Sequence, residues 1–268
     1  MNETLKRALS GAVYIILLLS CIFYSKESLS ILFGVFLLIG IYEFSKIIAI
    51  NLIASILISG LTYFFLWDRN SNEIINNGIS IFTILISIYL LYFLFQKKES
   101  KINNYTKYLV LFGYLVFPFI LINYIPMGQN GYNPKILISI LILIWTNDTF
   151  AYIVGKSIGR TKLFPSISPK KTIEGFLGGI LFSIISGYLL AVFFIEAKLI
   201  YIWIVISIIV SIFSTLGDLI ESKFKRLAGV KDSGKIMPGH GGILDRLDSI
   251  IFVIPFINLF YLILRYVS

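Results

Sequence analysis

Between Lys198 and Asp218 the chain reads LIYIWIVISIIVSIFSTLG, residues 199–217, without a single charge. As a helix at about 1.5 Å per residue this run is roughly 28 Å long, close to the ~30 Å hydrocarbon core of a bilayer. Charge then returns densely, from Asp218 to Asp248, before residues 249–266 turn apolar again. Two membrane-length apolar runs around one charged segment decide the fold class. The chain is predicted to be an all-α polytopic membrane protein.

The eighth span, near 199–221, has counterparts near 8–24, 28–49, 51–67, 79–95, 107–125, 134–157, 174–195 and 249–266, so about nine transmembrane helices are predicted. Composition agrees. The 268 residues are 57% hydrophobic and only 14% charged, where soluble domains carry about 25% charged residues. Mean hydropathy is +0.90.

If the spans alternate, one side collects Lys6, Arg7, Lys46, Lys97, Lys98, Lys101, Lys107, Lys156, Arg160, Lys162, Lys170, Lys171, Lys223, Lys225, Arg226, Lys231, Lys235 and Arg246. The other side collects Lys26, Arg69, Lys135, Lys198 and Arg265. Cationic loops stay cytoplasmic. The N-terminus is therefore expected in the cytoplasm, with the loops after the sixth and eighth spans beside it. This orientation accounts for most of the net charge of +9. Basic loops also attract anionic headgroups, so membrane lipids are expected partners. Nucleic acid is not, because the cations sit in short membrane loops.

The first run, after Lys6-Arg7, has the look of a signal peptide, but Tyr24-Ser25-Lys26-Glu27 offers no small-residue cleavage site. A retained helix is expected. Cys21 is the only cysteine, so neither an intrachain disulfide nor a thiol metal site is expected.

Residues 1–133 read as N-terminal scaffold helices, and 134–268 as catalytic helices and cytoplasmic loops, within one integral membrane domain. In the first part Glu43 reads as an interfacial carboxylate beside Lys46 in preference to a site residue. Trp67 with Tyr63 suits an interfacial anchor. Asn70-Ser71-Asn72 and Met127-Gly-Gln-Asn-Gly-Tyr-Asn133 are turn-rich. No internal repeat is visible.

Polar residues enter the spans in the second part. Asp148 lies 14 residues past Pro134, about 21 Å along a helix, in the cytoplasmic half of the membrane. It is expected to face a polar cavity, a cation or a metal, or else to pair with a basic loop residue. Ser168-Pro169 reads as a helix start, with Ser as cap and Pro at the first position. Lys170 and Lys171 then stand at a helix N-terminus, a ready anion site.

In the charged segment Asp218, Glu221 and Lys225 share a helical face at spacings of three and four. Lys225, Arg226 and Lys231 follow as cations. Pro238-Gly-His-Gly-Gly242 can bring backbone N–H groups close to a ligand. The ninth helix is expected just after it, with Asp245 and Asp248 on one face. Carboxylates converging from several helices suit magnesium, which takes one or two of them, keeps waters and completes its shell with phosphates. Transfer at phosphorus needs mainly positioning and charge stabilisation. Ser222 has no base placed for it, so a phosphate contact or a helix-end hydrogen bond is expected of it. His240 reads as a phosphate contact or turn hydrogen bond in preference to a base or metal ligand. These residues alone reach an integral membrane enzyme handling a phosphorylated substrate with a divalent metal.

The order Ser222, Phe224, Lys225-Arg226, Lys231-Asp232, His240-Gly241-Gly242-Ile243, Asp245-Arg246-Leu247-Asp248 resembles the C-terminal signature of the phosphatidate cytidylyltransferases, or CDP-diacylglycerol synthases. Met237 departs conservatively from the pattern. Ser168–Gly175 and Asn147–Tyr152 also resemble that family. The resemblance implies transfer of the cytidylyl group of CTP to phosphatidic acid, giving CDP-diacylglycerol and pyrophosphate for phospholipid biosynthesis. It implies a homodimer in the inner (plasma) membrane, its site facing the cytoplasm, that uses Mg2+ and a second, potassium-type cation. Carried onto this chain, the catalytic residues are Asp218, Asp245, Lys225 and His240, with Asp218, Asp245, Asp248 and Asp148 as metal ligands. Substrate contacts fall to Ser222, Arg226, Lys231, Lys170, Lys171, Arg246, Gly241 and Gly242. Two rivals are a CTP-dependent enzyme of isoprenoid or polyprenol lipids and, from a different class, a cation-coupled transporter.

Overall fold

The computed structural model describes residues 3–67, 73–96, 103–128 and 131–267. Arg69, Lys97, Lys98 and Lys101 of the charge split, the Asn70-Ser71-Asn72 turn, Gln129, Asn130 and the side chain of Lys6 lie outside the described residues.

Among the described residues nine helices follow in order. They are α1 (Glu3–Tyr24), α2 (Lys26–Ile48), α3 (Leu52–Leu66), α4 (Glu73–Phe95), α5 (Asn104–Leu121), α6 (Pro134–Ile158), α7 (Ile173–Phe194), α8 (Ile200–Leu227) and α9 (Leu244–Val267). Eight are long and apolar enough to cross a membrane; α3, with 15 residues, is shorter. The order agrees with the sequence reading, but the ends move. Helix α8 runs past 221 to Leu227 and α9 starts before 249. The charged residues at these ends pair with one another, so the helices continue beyond their apolar runs.

Contacts at the helix ends sort them into two sets. At one end Lys107 Nζ donates to the Ala49 carbonyl at 3.2 Å, and Lys223 Nζ reaches the carbonyl of Gln96 at 2.8 Å. At the other end the Tyr63 hydroxyl donates to the Ser30 carbonyl at 2.7 Å, and that of Tyr132 to Ile22 at 2.6 Å. The Tyr124 hydroxyl reaches the Leu66 carbonyl at this second end. Helix α3 therefore joins the two ends, although its 15 residues span only about 22 Å.

Two short antiparallel hairpins interrupt the helices: β1 (Met127–Gly128) with β2 (Gly131–Tyr132), and β3 (Lys162–Phe164) with β4 (Ser168–Thr172). Helix α5 widens into a π-helical stretch at Leu111–Val116. Pro118 follows it, and a proline removes an i→i−4 donor and clashes with the preceding turn. The core is aliphatic and aromatic, with Phe44, Phe93 and Tyr114 around Phe224. Leu57, Phe64, Ile81 and Leu181 are exposed outward, as a lipid-facing surface requires.

Candidate active site

The first element of the site is a hairpin, not a helix start. Ser168–Thr172 forms β4, paired with β3, and α7 begins only at Ile173. Thr172 is the cap; its Oγ1 accepts from Gly175 N–H at 3.1 Å. Ser168-Pro169 thus misled as a start signal, because Thr172 supplies the same chemistry four residues later and Pro is tolerated at a sheet edge. Lys170 is exposed on β4. Lys171 turns inward and forms an ion pair with Asp218 of α8.

Helix α7 is held against α6 by closely approaching backbones. A Cβ on Gly175 would sit 2.5 Å from the Ala151 carbonyl, and one on Gly179 would sit 2.5 Å from Asn147 Oδ1. Asn147 is buried and donates to Ser214 Oγ of α8 at 3.1 Å. A polar seam thus crosses α6 and α8 beside Asp148. Asp148 itself is exposed on the bare chain, within electrostatic reach of Lys171 and Asp218.

On α8 the residues at three- and four-spacing do meet. Ser222 Oγ donates to Asp218 Oδ1 at 3.1 Å, the helix-end bond that was one of its two expected roles. Glu221, 1% exposed, pairs with Lys225 one turn on. Lys225 also reaches across to Asp245 Oδ1 of α9 at 2.6 Å. Asp248 lies one turn further along α9, within electrostatic reach of Asp218, Glu221 and Asp148. Asp245 and Asp248 therefore serve different neighbourhoods. One faces Lys225 and the loop, and the other faces the carboxylates of α6 and α8.

The loop before α9 is tied down by two carboxylates. Asp245 Oδ2 accepts from Gly242 N–H at 2.7 Å and from Ser233 N–H at 2.9 Å. Glu43 accepts from Ile243 N–H at 3.1 Å and from Leu244 N–H at 2.9 Å. The Ser233 hydroxyl lies between them, 3.1 Å from Glu43 Oε2 and 3.0 Å from Asp245 Oδ2. Glu43 is 1% exposed and acts as a cap lent by α2 to the N-terminus of α9. This corrects the reading of Glu43 as an interfacial partner of Lys46, whose ammonium reaches the Tyr42 hydroxyl instead. An unpaired carboxylate in a membrane helix is costly, and two orphan N–H groups of a helix start supply what it needs.

Gly241 adopts φ +86, and a Cβ there would lie 2.4 Å from Asp245 Oδ2. Its expected role of bringing backbone N–H groups to a ligand changes for Gly242, whose N–H is held by Asp245. His240 packs against α1: its Nδ1 lies 2.9 Å from Ser10 Oγ. Arg246 donates to the His240 carbonyl from Nη2 at 2.8 Å and from Nε at 3.2 Å. Partial burial, then the cations of Arg246 and Arg7, hold the imidazole below the ordinary histidine range.

Asp148, Asp218, Glu221, Lys171, Lys225, Asp245 and Asp248 thus form one connected cluster. Arg226 is exposed and donates to the Val230 carbonyl at 3.0 Å, and Lys231 is exposed in the loop. Glu43, Ser233, Ser10 and Arg7 join the neighbourhood without having been picked out as site residues. Only Glu43 carried a signal, being an ionisable group inside an apolar run.

Among the described residues no three His, Cys, Asp or Glu side chains converge as a ready metal cage. The donors are nevertheless hard oxygens. Five carboxylates, Asp148, Asp218, Glu221, Asp245 and Asp248, face two ammonium groups, Lys171 and Lys225. That imbalance fits a magnesium ion taking one or two carboxylates and finishing its shell with phosphate and water.

Fold and cluster together define a helical membrane protein with a dense cluster of charge at one end of its bundle. The Cytidylyltransferase family matches residues 5–264, and the chain belongs to that family. It is similar to the phosphatidate cytidylyltransferase of Staphylococcus haemolyticus (strain JCSC1435), with 54% identity over 119 residues, 44% of this chain and 45% of the relative. It is also similar to proteins of that name from Staphylococcus epidermidis (strain ATCC 12228 / FDA PCI 1200), at 52% over 118 residues, and Staphylococcus aureus (strain COL), at 52% over 120 residues. Each of these matches likewise covers 44% of this chain and 45% of the relative. The matched stretch is thus under half the length of these relatives.

Proposed function

We propose that this chain transfers the cytidylyl group of CTP to phosphatidic acid, releasing pyrophosphate and forming CDP-diacylglycerol. One observation carries the reading: Lys171 and Lys225 are interleaved with Asp218, Glu221 and Asp245 at one end of a membrane bundle. Family membership and the names of the relatives support it. An oxygen of the lipid phosphate forms the new bond to the α-phosphorus of CTP, and the bond to the β-phosphate oxygen breaks. No protein nucleophile is needed, and Ser222 is occupied with Asp218. Lys171 and Lys225 exchange carboxylate partners for phosphate oxygens, which charge-assisted hydrogen bonding favours. Asp218, Asp248 and Asp148 would hold magnesium, which supplies charge neutralisation at the phosphates when bound. Asp245 is held by Lys225 and by two backbone N–H groups, of Ser233 and Gly242, and acts first by placing Lys225 and the loop.

The charge split supports a site facing the cytoplasm from the inner (plasma) membrane. Homodimerisation rests on the family resemblance and is checked by light scattering in detergent.

The deciding experiment measures pyrophosphate release by detergent-purified protein with CTP, phosphatidate, Mg2+ and K+, each omitted in turn. Release that needs CTP, phosphatidate and Mg2+ together supports the reading. Release with isoprenoid phosphates in place of phosphatidate favours the isoprenoid rival. Cation uptake by vesicles without pyrophosphate release favours the transporter.

A further inference from the structure

We propose that Arg7, Arg246 and His240 form a phosphate-monoester site at the lipid edge of the centre, and that it receives the headgroup of the lipid substrate. The proposal rests on the reading above that this substrate is a phosphorylated lipid.

The site is assembled from α1, the loop before α9 and the first turn of α9, which carries Arg246. Gly239 adopts φ +76, and a Cβ there would come within 2.4 Å of Arg7 Cγ. The stem of Arg7 therefore lies directly on the loop backbone. Ser10, one turn on, sits 3.0 Å from the Pro238 carbonyl and 3.1 Å from the Arg7 carbonyl, as well as 2.9 Å from His240 Nδ1. A hydroxyl has one proton to give. Ser10 Oγ and His240 Nδ1 share a hydrogen bond whose direction follows the ring tautomer.

Two guanidinium groups thus flank one neutral imidazole. Among the described residues neither Arg7 nor Arg246 has a carboxylate within ion-pair distance. Arg246 spends Nε and Nη2 donors on the His240 carbonyl, and Nη1 stays available. Like charges brought by α1 and α9 to one loop, with neither paired to a carboxylate among the described residues, call for an external anion. Their formal charge of +2 matches a phosphate monoester, which carries about −1.5 to −2 at pH 7. A phosphodiester headgroup, with one negative charge, matches it less well.

The position points to a lipid source. The Arg7, Ser10, Gly11 and Tyr14 face of α1 meets the protein, whereas Val13 and Ile16 are each 64% exposed. The outward face of α1 therefore meets bilayer lipid. Arg7 thus stands on a helix that borders the bilayer and on the loop that leads to Asp245.

The test measures equilibrium binding to full-length, detergent-purified protein without turnover. The probes are dihexanoyl phosphatidate, dihexanoyl phosphatidylglycerol and CTP, each alone. Wild-type protein is expected to favour phosphatidate over phosphatidylglycerol. Arg7→Gln should weaken phosphatidate binding on the order of tenfold, roughly one charge-assisted hydrogen bond, and leave the other two unchanged. Arg7→Lys, which keeps the charge, should retain much of the affinity and shows that any loss is not a folding defect. Unchanged phosphatidate affinity in Arg7→Gln overturns the site. Weakened CTP binding with phosphatidate unaffected overturns its assignment to the lipid. If wild-type protein shows the Arg7-dependent preference yet releases no pyrophosphate from CTP and phosphatidate, the reaction is wrong and the site stands.

Discussion

Asp218 is the residue on which most of the cluster depends, since it holds Lys171 and Ser222 and lies near Asp148 and Asp248. Asp218→Asn keeps the shape and removes the charge. Turnover is expected to fall roughly 10²–10³-fold, the scale for losing one preorganised electrostatic group, while the protein still inserts in membranes. Pyrophosphate release by purified variant and wild type checks this. His240 gives a second expectation. Its folded pKa lies below 6.5, so the neutral ring is favoured in the fold. The associated stability is present above pH 6.5 and is lost as pH falls through the lower folded value. An NMR titration of this sole histidine should show a midpoint below 6.5, and Arg7→Gln should raise it by removing a nearby cation. A midpoint unmoved by Arg7→Gln would separate Arg7 from the ring.

Helix pairs set the finer geometry. Gly175 and Gly179 form a small-xxx-small pair on α7 that brings it against α6, the usual device for close approach in a membrane. Gly179→Leu would drive a side chain into Asn147 and disturb the segment that carries Asp148. Overpacking of this kind costs about 1–3 kcal/mol, so a lower midpoint of thermal unfolding in detergent is expected, with activity falling further than stability. Most elements were legible in the sequence because apolar runs of membrane length report helices directly. The hairpin at Lys162–Thr172 was not, because Ser168-Pro169 and Thr172 both carry start signals and only packing against Gly155 and Gly159 selects the second. The acidic and basic residues of α8 were placed correctly by helical spacing. The cap from Glu43 was hidden, since its partners are backbone groups some 200 residues away.

Across the whole molecule, contacts at the two ends of the bundle fix which of the described loops lie together, and the charge split predicts the richer set on the cytoplasmic side. Cysteines introduced at Arg160 and Glu196, in a chain with Cys21 replaced, report on this. Position 160 should label with an impermeant maleimide only from the cytoplasmic face of oriented vesicles, and position 196 only from the opposite face. Labelling of both from one face would break the alternation.

The cap that α2 lends to α9 also bears on biosynthesis. The last helix leaves the ribosome long after Glu43 has been inserted, and only then do Ile243 and Leu244 find their acceptor. The charged cluster consequently closes only once α9 has been made. A nascent chain stalled before α9 would lack Asp245 and Asp248, so Lys225 would stay without its partner across the bundle and the charged cluster would remain open.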